Sequence, residues 1–150
     1  MKTLTDTIPY SFPDFDAGEK KATFAYMNQP FVVERGERYT LIRLHSEKLD
    51  TMVAPVLKSE LVVLNADGVR NLIIDLGETR YCDSSGLSSI LVANRLCKNA
   101  NGVMILTGLQ EPVKKLISIS QLDSILRITG DLTAAIDLLV AEDVEHNGRE

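Results

Sequence analysis

Apolar positions change their spacing along this chain, and the changes mark out its elements. From Phe31, "FVVER" and "YTLIRLH" flank a turn at Gly36 and Glu37, which predicts the two strands of a hairpin. Val53, Val56, Leu57, Leu61 and Leu64 then recur at three- and four-residue steps, the spacing of an amphipathic helix that closes at Gly68. Asp50 and Thr51 stand where a cap belongs, and Pro55 is tolerated because it falls in the first turn. "NLIIDL" is a short continuous apolar run, as in a strand covered on both faces. Ser84 to Ala100 reads as a helix closed by "NANG" at Gly102, and "VMILTG" as the next strand. "EPVKKLISIS" is a helix with Glu111 and Pro112 in its first turn. "ILRITG" is a last strand and "DLTAAIDLLVAED" a last helix capped by Asp131. The remaining residues, 144–150, form a polar tail expected to fray.

Strands that alternate with helices imply parallel neighbours joined by right-handed crossovers. The expected fold is a single α/β domain over residues 31–143. Its sheet is mixed and mostly parallel, with an N-terminal β-hairpin and about four helices. Residues 1–30 differ in kind. They mix Pro, Asp, Gly and Lys with scattered aromatics and hold no period. They read as a flexible or loosely packed N-terminal extension, or as a stretch ahead of a start at Met27.

Composition removes several functions. The 150 residues are 45% hydrophobic and 25% charged, ordinary for a globular protein, with a formal net charge of −5. No stripe of Lys and Arg is present, so neither nucleic acid nor an anionic membrane is expected as a partner. No apolar stretch is long enough to span a bilayer and no signal pattern opens the chain, so the expectation is a cytoplasmic protein without membrane insertion.

Catalytic chemistry is equally sparse. The two histidines, His45 and His146, sit at a strand end and in the polar tail. There is no nucleophile elbow, no phosphate-cradling glycine loop and no metal-ligand spacing, so no enzyme activity, cofactor or metal is expected. Cys82 and Cys97 bracket a helix and read as small apolar fillers. Asp75 stands where a receiver-type phospho-acceptor would, but the acidic pair and the lysine that such chemistry requires are missing. It reads as a polar residue closing a strand.

One window stands out. "YCDSSGLSSILV" places four serines at a helix entrance, directly after the buried strand. Asp83 fits the N-cap, with Ser84, Ser85 and Gly86 in the first turn and a core stripe running through Leu87, Ile90 and Leu91, past Asn94, to Cys97. In the plain reading Asp83 caps, the serines are solvated and Gly86 permits close packing. In the second reading a serine is a phosphorylation switch, because a helix N-terminus tolerates added negative charge. A phosphate brings about −1.5 to −2 charges to the surface a partner would meet.

"NLIIDLGETRYCDSSGLSSIL", supported by "KLDTMVAPVLKSEL" and "VMILTGLQEPVKKLISISQLDSIL", resembles the STAS domain family, most closely the stand-alone bacterial anti-sigma factor antagonists. The resemblance runs from about Phe31 to Val140. It implies that Ser84, the first serine after the aspartate, is phosphorylated by an anti-sigma factor with serine kinase activity, and that a serine phosphatase resets it. Asp83, Ser85 and Gly86 would support the site, and the family aspartate of the earlier loop falls on Asp50. The family usually carries a glycine just ahead of that Leu-Asp pair; "LHSEKLD" has none and is one residue longer. On the helix wheel Ser85, Ser88, Ser89, Val92 and Leu96 point away from the core stripe. Ser88, Ser89, Val92 and Leu96 are therefore expected to face the partner.

The function expected is sequestration of the anti-sigma kinase by the unphosphorylated protein, which frees a sigma factor. Two alternatives remain: a STAS module of another signalling or transporter-associated complex, and a small-molecule or nucleotide-binding domain. The lack of period before Phe31 predicts that deletion through Gln29 leaves a domain that still folds cooperatively. Thermal melts of the two forms check this, and a large loss of stability in the shorter one would refute it.

Overall fold

The computed structural model describes residues 29–148, so the N-terminal extension expected over residues 1–30 lies outside the described residues except for Gln29 and Pro30. The hairpin is β1 (Phe31–Arg35) and β2 (Thr40–Leu44), antiparallel with Phe31 opposite Leu44 and Arg35 opposite Thr40. A short strand β3 (Lys48–Leu49) precedes helix α1 (Ala54–Ala66). There follow β4 (Leu72–Asp75), a second short strand β5 (Tyr81–Cys82) and α2 (Ser84–Asn99). The chain continues as β6 (Met104–Thr107), α3 (Glu111–Ile119), a 3₁₀ turn (Leu122–Ser124), β7 (Arg127–Thr129) and α4 (Leu132–Gly148).

The main sheet has the order β1-β2-β4-β6-β7, and β2, β4, β6 and β7 are mutually parallel. This is the mixed, mostly parallel α/β sheet with an N-terminal hairpin that the pattern predicts. The strands are laid down in one direction across the sheet. Right-handed crossovers therefore carry α1, α2 and α3 onto the same face, and only α4, after the last strand, lies on the other. Two cores result. Ile42, Leu44, Leu72, Ile74, Met104 and Leu106 meet the three helices, while Leu41, Ile73 and Ile105 meet Ala135 and Leu139 of α4. Burial on both faces explains why "NLIIDL" and "VMIL" are continuous apolar runs with no alternation.

Three local readings change. In α1 the buried face is Ala54, Leu57, Leu61 and Leu64, and Val56 is 46% exposed. Val56 lies about 100° round the helix from Leu57, on the side that, among the described residues, neither the sheet nor α2 covers. The helix also begins later than its expected cap. Asp50 Oδ1 accepts hydrogen bonds from the Met52 and Val53 amides at 3.0 and 3.3 Å, holding a turn that leads into Ala54. At the far end, Gly68 takes φ +91°, its amide bonded to Asn65 O and that of Val69 to Leu64 O, the left-handed stop expected there. Lastly, α4 continues past Asp143 to Gly148, into the stretch expected to be a frayed tail; no proline or glycine interrupts it before Gly148.

The feature that the periodicity did not announce is a two-stranded parallel ribbon. β3 pairs with β5, Lys48 opposite Tyr81 and Leu49 opposite Cys82. Glu47 O accepts from the amides of Arg80 and Tyr81, and Thr79 Oγ1 donates to Ser46 O at 2.9 Å. The Ser46 hydroxyl closes the loop ahead of β3, donating to Lys48 O and accepting from Lys48 N. Leu49 and Cys82 turn their side chains into the core, at 0% and 7% exposure. Gly86, in the first turn of α2, packs against this ribbon. A Cβ there would collide with the Leu49 carbonyl oxygen and lie 2.7 Å from Cys82 Sγ.

This packing predicts that Gly86→Ala, a change that favours a helix by itself, is destabilising by about 1–3 kcal/mol, the usual cost of overpacking a filled site. Ser85→Ala, one residue away and only half-buried, should change stability by less than about 0.5 kcal/mol. Urea unfolding of both variants is the measurement. A Gly86→Ala protein as stable as wild type would mean that helix and ribbon are not in close contact.

Candidate functional site

Two chain segments leave the ribbon side by side. Leu49 leads into Asp50 and Cys82 leads into Asp83, and the Asp83 amide donates back to Leu49 O at 3.3 Å. The ribbon therefore brings the two motifs that carry the family resemblance, "KLD" and "CDSSG", to one place at the C-terminal end of the parallel strands. Open α/β sheets place their sites at such ends.

Asp83 is the N-cap of α2, as its sequence position suggests. Its backbone is extended and its carboxylate Oδ1 accepts from the Gly86 amide at 3.0 Å, while its carbonyl accepts from Leu87 N. Such a cap contributes about 1 kcal/mol. Asp50 performs the matching service in the other loop through Met52 and Val53. Both carboxylates are partly exposed, and among the described residues no cluster of three or more His, Cys, Asp or Glu side chains is arranged to hold a metal.

The four serines have different surroundings. Ser84, the first residue of α2, is exposed. Ser85 and Ser88 are half-buried. Ser89 is fully buried and donates to Gly86 O at 2.7 Å, which corrects the expectation that it faces a partner. The buried stripe of α2 is Gly86, Ser89, Ile90, Ala93 and Cys97, with Leu87 and Leu91 on its margin. The stripe is rotated from the expected one because Gly86 and Ser89 are small enough to lie against the ribbon. Val92 and Leu96 also pack against the core, and Leu96 shares a small gap with Leu61, Leu64 and Cys97 between α1 and α2. They join the helices to each other, so of the four residues expected to face a partner only Ser88 keeps part of its surface without an apolar core role.

The surrounding groups are structural. Burial, with a smaller contribution from the Asp83 carboxylate, pushes the Cys82 thiol up to about 12, and burial alone does the same for Cys97. Both stay protonated and unreactive at neutral pH. Asp75 closes its strand as expected, Oδ1 accepting from Gly77 N at 2.8 Å and Oδ2 lying 3.7 Å from Arg43 Nε. Gln110, just before α3, bridges the Gly77 carbonyl and Arg80, tying the loop that leads into β5 to its neighbour. No helix among the described residues is long and apolar enough to cross a membrane.

Known proteins resemble this chain in sequence and in fold. The STAS domain pattern matches residues 31–135. The anti-sigma-B factor antagonist of Bacillus subtilis is 31% identical over 103 residues, spanning 69% of this chain and 93% of that protein. Among solved structures, an anti-sigma factor antagonist from Mycobacterium paratuberculosis superposes with a TM-score of 0.65 at 20% identity, covering 73% of this chain and 92% of the other. The phosphorylated form of the Bacillus cell fate determinant SpoIIAA superposes at 0.58 and 24% identity, covering 71% and 96%. At such identities the superpositions speak for the fold, while the pattern match and the Bacillus subtilis relative carry the kinship. The chain belongs to the STAS domain family, and its Bacillus subtilis relative is an anti-sigma-B factor antagonist.

Proposed function

We propose that this protein is a phosphorylation-switched anti-sigma factor antagonist. Unphosphorylated, it binds an anti-sigma factor that is also a serine kinase and so releases a sigma factor. Phosphorylated on Ser84, it lets go, and a serine phosphatase restores it. It contributes no catalytic group of its own.

The observation that carries this reading is the exposure of Ser84 at the first position of α2, between the Asp83 cap and a buried Gly86. Of the four serines in the window only this one is exposed. The hydroxyl can be reached by a kinase without unfolding the helix, because the capping bond runs from Asp83 to Gly86 and does not use Ser84. A phosphate there sits at the positive end of the helix, which offsets part of its charge. Asp50 and Asp83 already flank the turn, so a further −1.5 to −2 charges, roughly, turn this end of the domain strongly negative. A partner in close contact would have to desolvate or repel that charge.

The test is phosphosite mapping after incubation with the cognate anti-sigma factor and ATP, together with binding measurements on two variants. Phosphate is expected on Ser84. Ser84→Ala should bind without being released by ATP, and Ser84→Asp should bind at least about tenfold more weakly while melting within a few degrees of wild type. Phosphate on Ser85, or a Ser84→Asp protein that binds like wild type, would overturn the mechanism.

A further inference from the structure

The face of α1 turned away from the core is apolar too. Val56 is 46% exposed and Val63 49%, and the two lie about two turns apart on one line of the helix, roughly 10 Å end to end. Met52, 78% exposed, continues that line at the start of the preceding turn. Ser59 falls between them on one side, and the half-buried Glu60, four residues after Val56 and three before Val63, borders the line on the other. Val62, 59% exposed, widens it. Four of the seven large hydrophobic side chains that the described residues expose therefore belong to this one segment. A helix apolar on both sides is normally covered on both. Within the described residues α1 is covered on one only, by the sheet and α2.

The stripe is continuous with the candidate site. The Met52 amide is bonded to the Asp50 carboxylate at 3.0 Å, so the loop that leaves the ribbon beside Asp83 and Ser84 is also the start of the stripe. The residues expected to give the partner apolar contact, Val92 and Leu96 of α2, are partly buried against the core and expose less than the α1 side chains do. We propose that the exposed stripe of α1, Met52, Val56 and Val63, is the apolar half of the anti-sigma factor's docking surface, and that the Ser84 turn is its charged half. The proposal rests on the function inferred above and adds a division of labour to it. The stripe supplies affinity that does not depend on phosphorylation, and Ser84 supplies the charge that switches it. The partner it fits presents an apolar ridge beside its kinase site, because a polar group laid on Val56 or Val63 would lose its water against side chains that offer no hydrogen bond.

The experiment measures equilibrium binding of the cognate anti-sigma factor, the one that phosphorylates Ser84, to the full chain and to Val56→Ser/Val63→Ser. Both valines are exposed, so the double variant should fold, and its thermal melt verifies this. Ile119→Ser/Ile125→Ser, an apolar pair at least as exposed, Ile119 at the end of α3 and Ile125 just after the 3₁₀ turn, is the control. The expected result is binding weakened about tenfold or more by the α1 pair and unchanged by the control. The residual binding should still be abolished by Ser84→Asp. Equal binding by wild type and the α1 variant overturns the proposal and leaves the proposed function standing. Failure of wild type itself to bind overturns that function, and the docking surface with it. Light scattering and hydrogen exchange give two further overturning results. One is a wild-type dimer that the α1 pair dissociates, which makes the stripe a self-contact. The other is faster exchange over residues 54–66 on deletion of residues 1–28, which makes it the seat of the chain's own N-terminal segment.

Discussion

Everything at the Ser84 end of the molecule depends on one close approach, that of the Gly86 backbone to the Leu49 carbonyl. A glycine inside a helix costs about 0.5–1 kcal/mol relative to alanine, so its presence in the first turn calls for a reason. The reason is that the ribbon runs under the helix entrance. Leu49 and Cys82 can bury their side chains, and Asp83 can reach the Gly86 amide, only if nothing projects from position 86. Once that contact is made, the loop carrying Asp50 is fixed beside the turn carrying Ser84, although the two are more than thirty residues apart in sequence. Local chain stiffness could not hold them together. A ribbon of two residue pairs, anchored by Thr79 and Glu47, does so.

The sheet supplies the fixed frame. Its central strands are buried on both faces, and their ends are tied by polar groups that satisfy neighbouring backbones. At one end Asn71, 4% exposed, donates through Nδ2 to Arg38 O and accepts from Val103 N, joining the starts of β2, β4 and β6. At the other, Asp75 and Gln110 bind the loops that follow β4 and precede α3. Leaving such a buried amide or carbonyl unpaired would cost about 1–3 kcal/mol, so these bonds define strand register as well as contributing to stability. The candidate site stands at the second of these ends, outside the core but attached to it at both loops.

Much of this was legible in the sequence, and what was not has a physical reason. Long elements announced themselves. The hairpin, the two doubly buried strands and the four helices follow from runs and periods that survive any detail of packing. The cap at Asp83 was legible because it needs only a local hydrogen bond. The ribbon was not: two-residue strands have no period, and the pairing of Leu49 with Cys82 is a long-range event. The orientation of α2 failed for a related cause. Ser89 reads as polar and so as solvent-facing, yet beside a glycine it is small enough to turn inward, and its hydroxyl is satisfied by Gly86 O within its own turn. Val56 failed in the opposite way. Hydrophobicity marks a residue as able to be buried, and Val56 lies about 100° round from Leu57, beyond the arc that the sheet and α2 cover among the described residues.

Those two misreadings are linked, and together they move the contact surface. If Ser89, Val92 and Leu96 turned outward, the partner would meet α2 alone and the switch would sit at the edge of its footprint. With α2 turned inward, four of the seven exposed large hydrophobic side chains among the described residues lie on α1 and the turn leading into it, which leaves the ribbon beside the Ser84 turn. Under the proposed switch this arrangement separates two quantities that a core-facing serine would couple. The phosphate adds charge where the helix end offers partial compensation and where the cap does not pass through the modified side chain, so the fold is spared. The same charge lies beside a surface whose apolar half must be dehydrated for a partner to bind, where an uncompensated dianion is most costly. A domain that is to be switched without being unfolded needs its modifiable hydroxyl at that boundary, outside the core and inside the footprint.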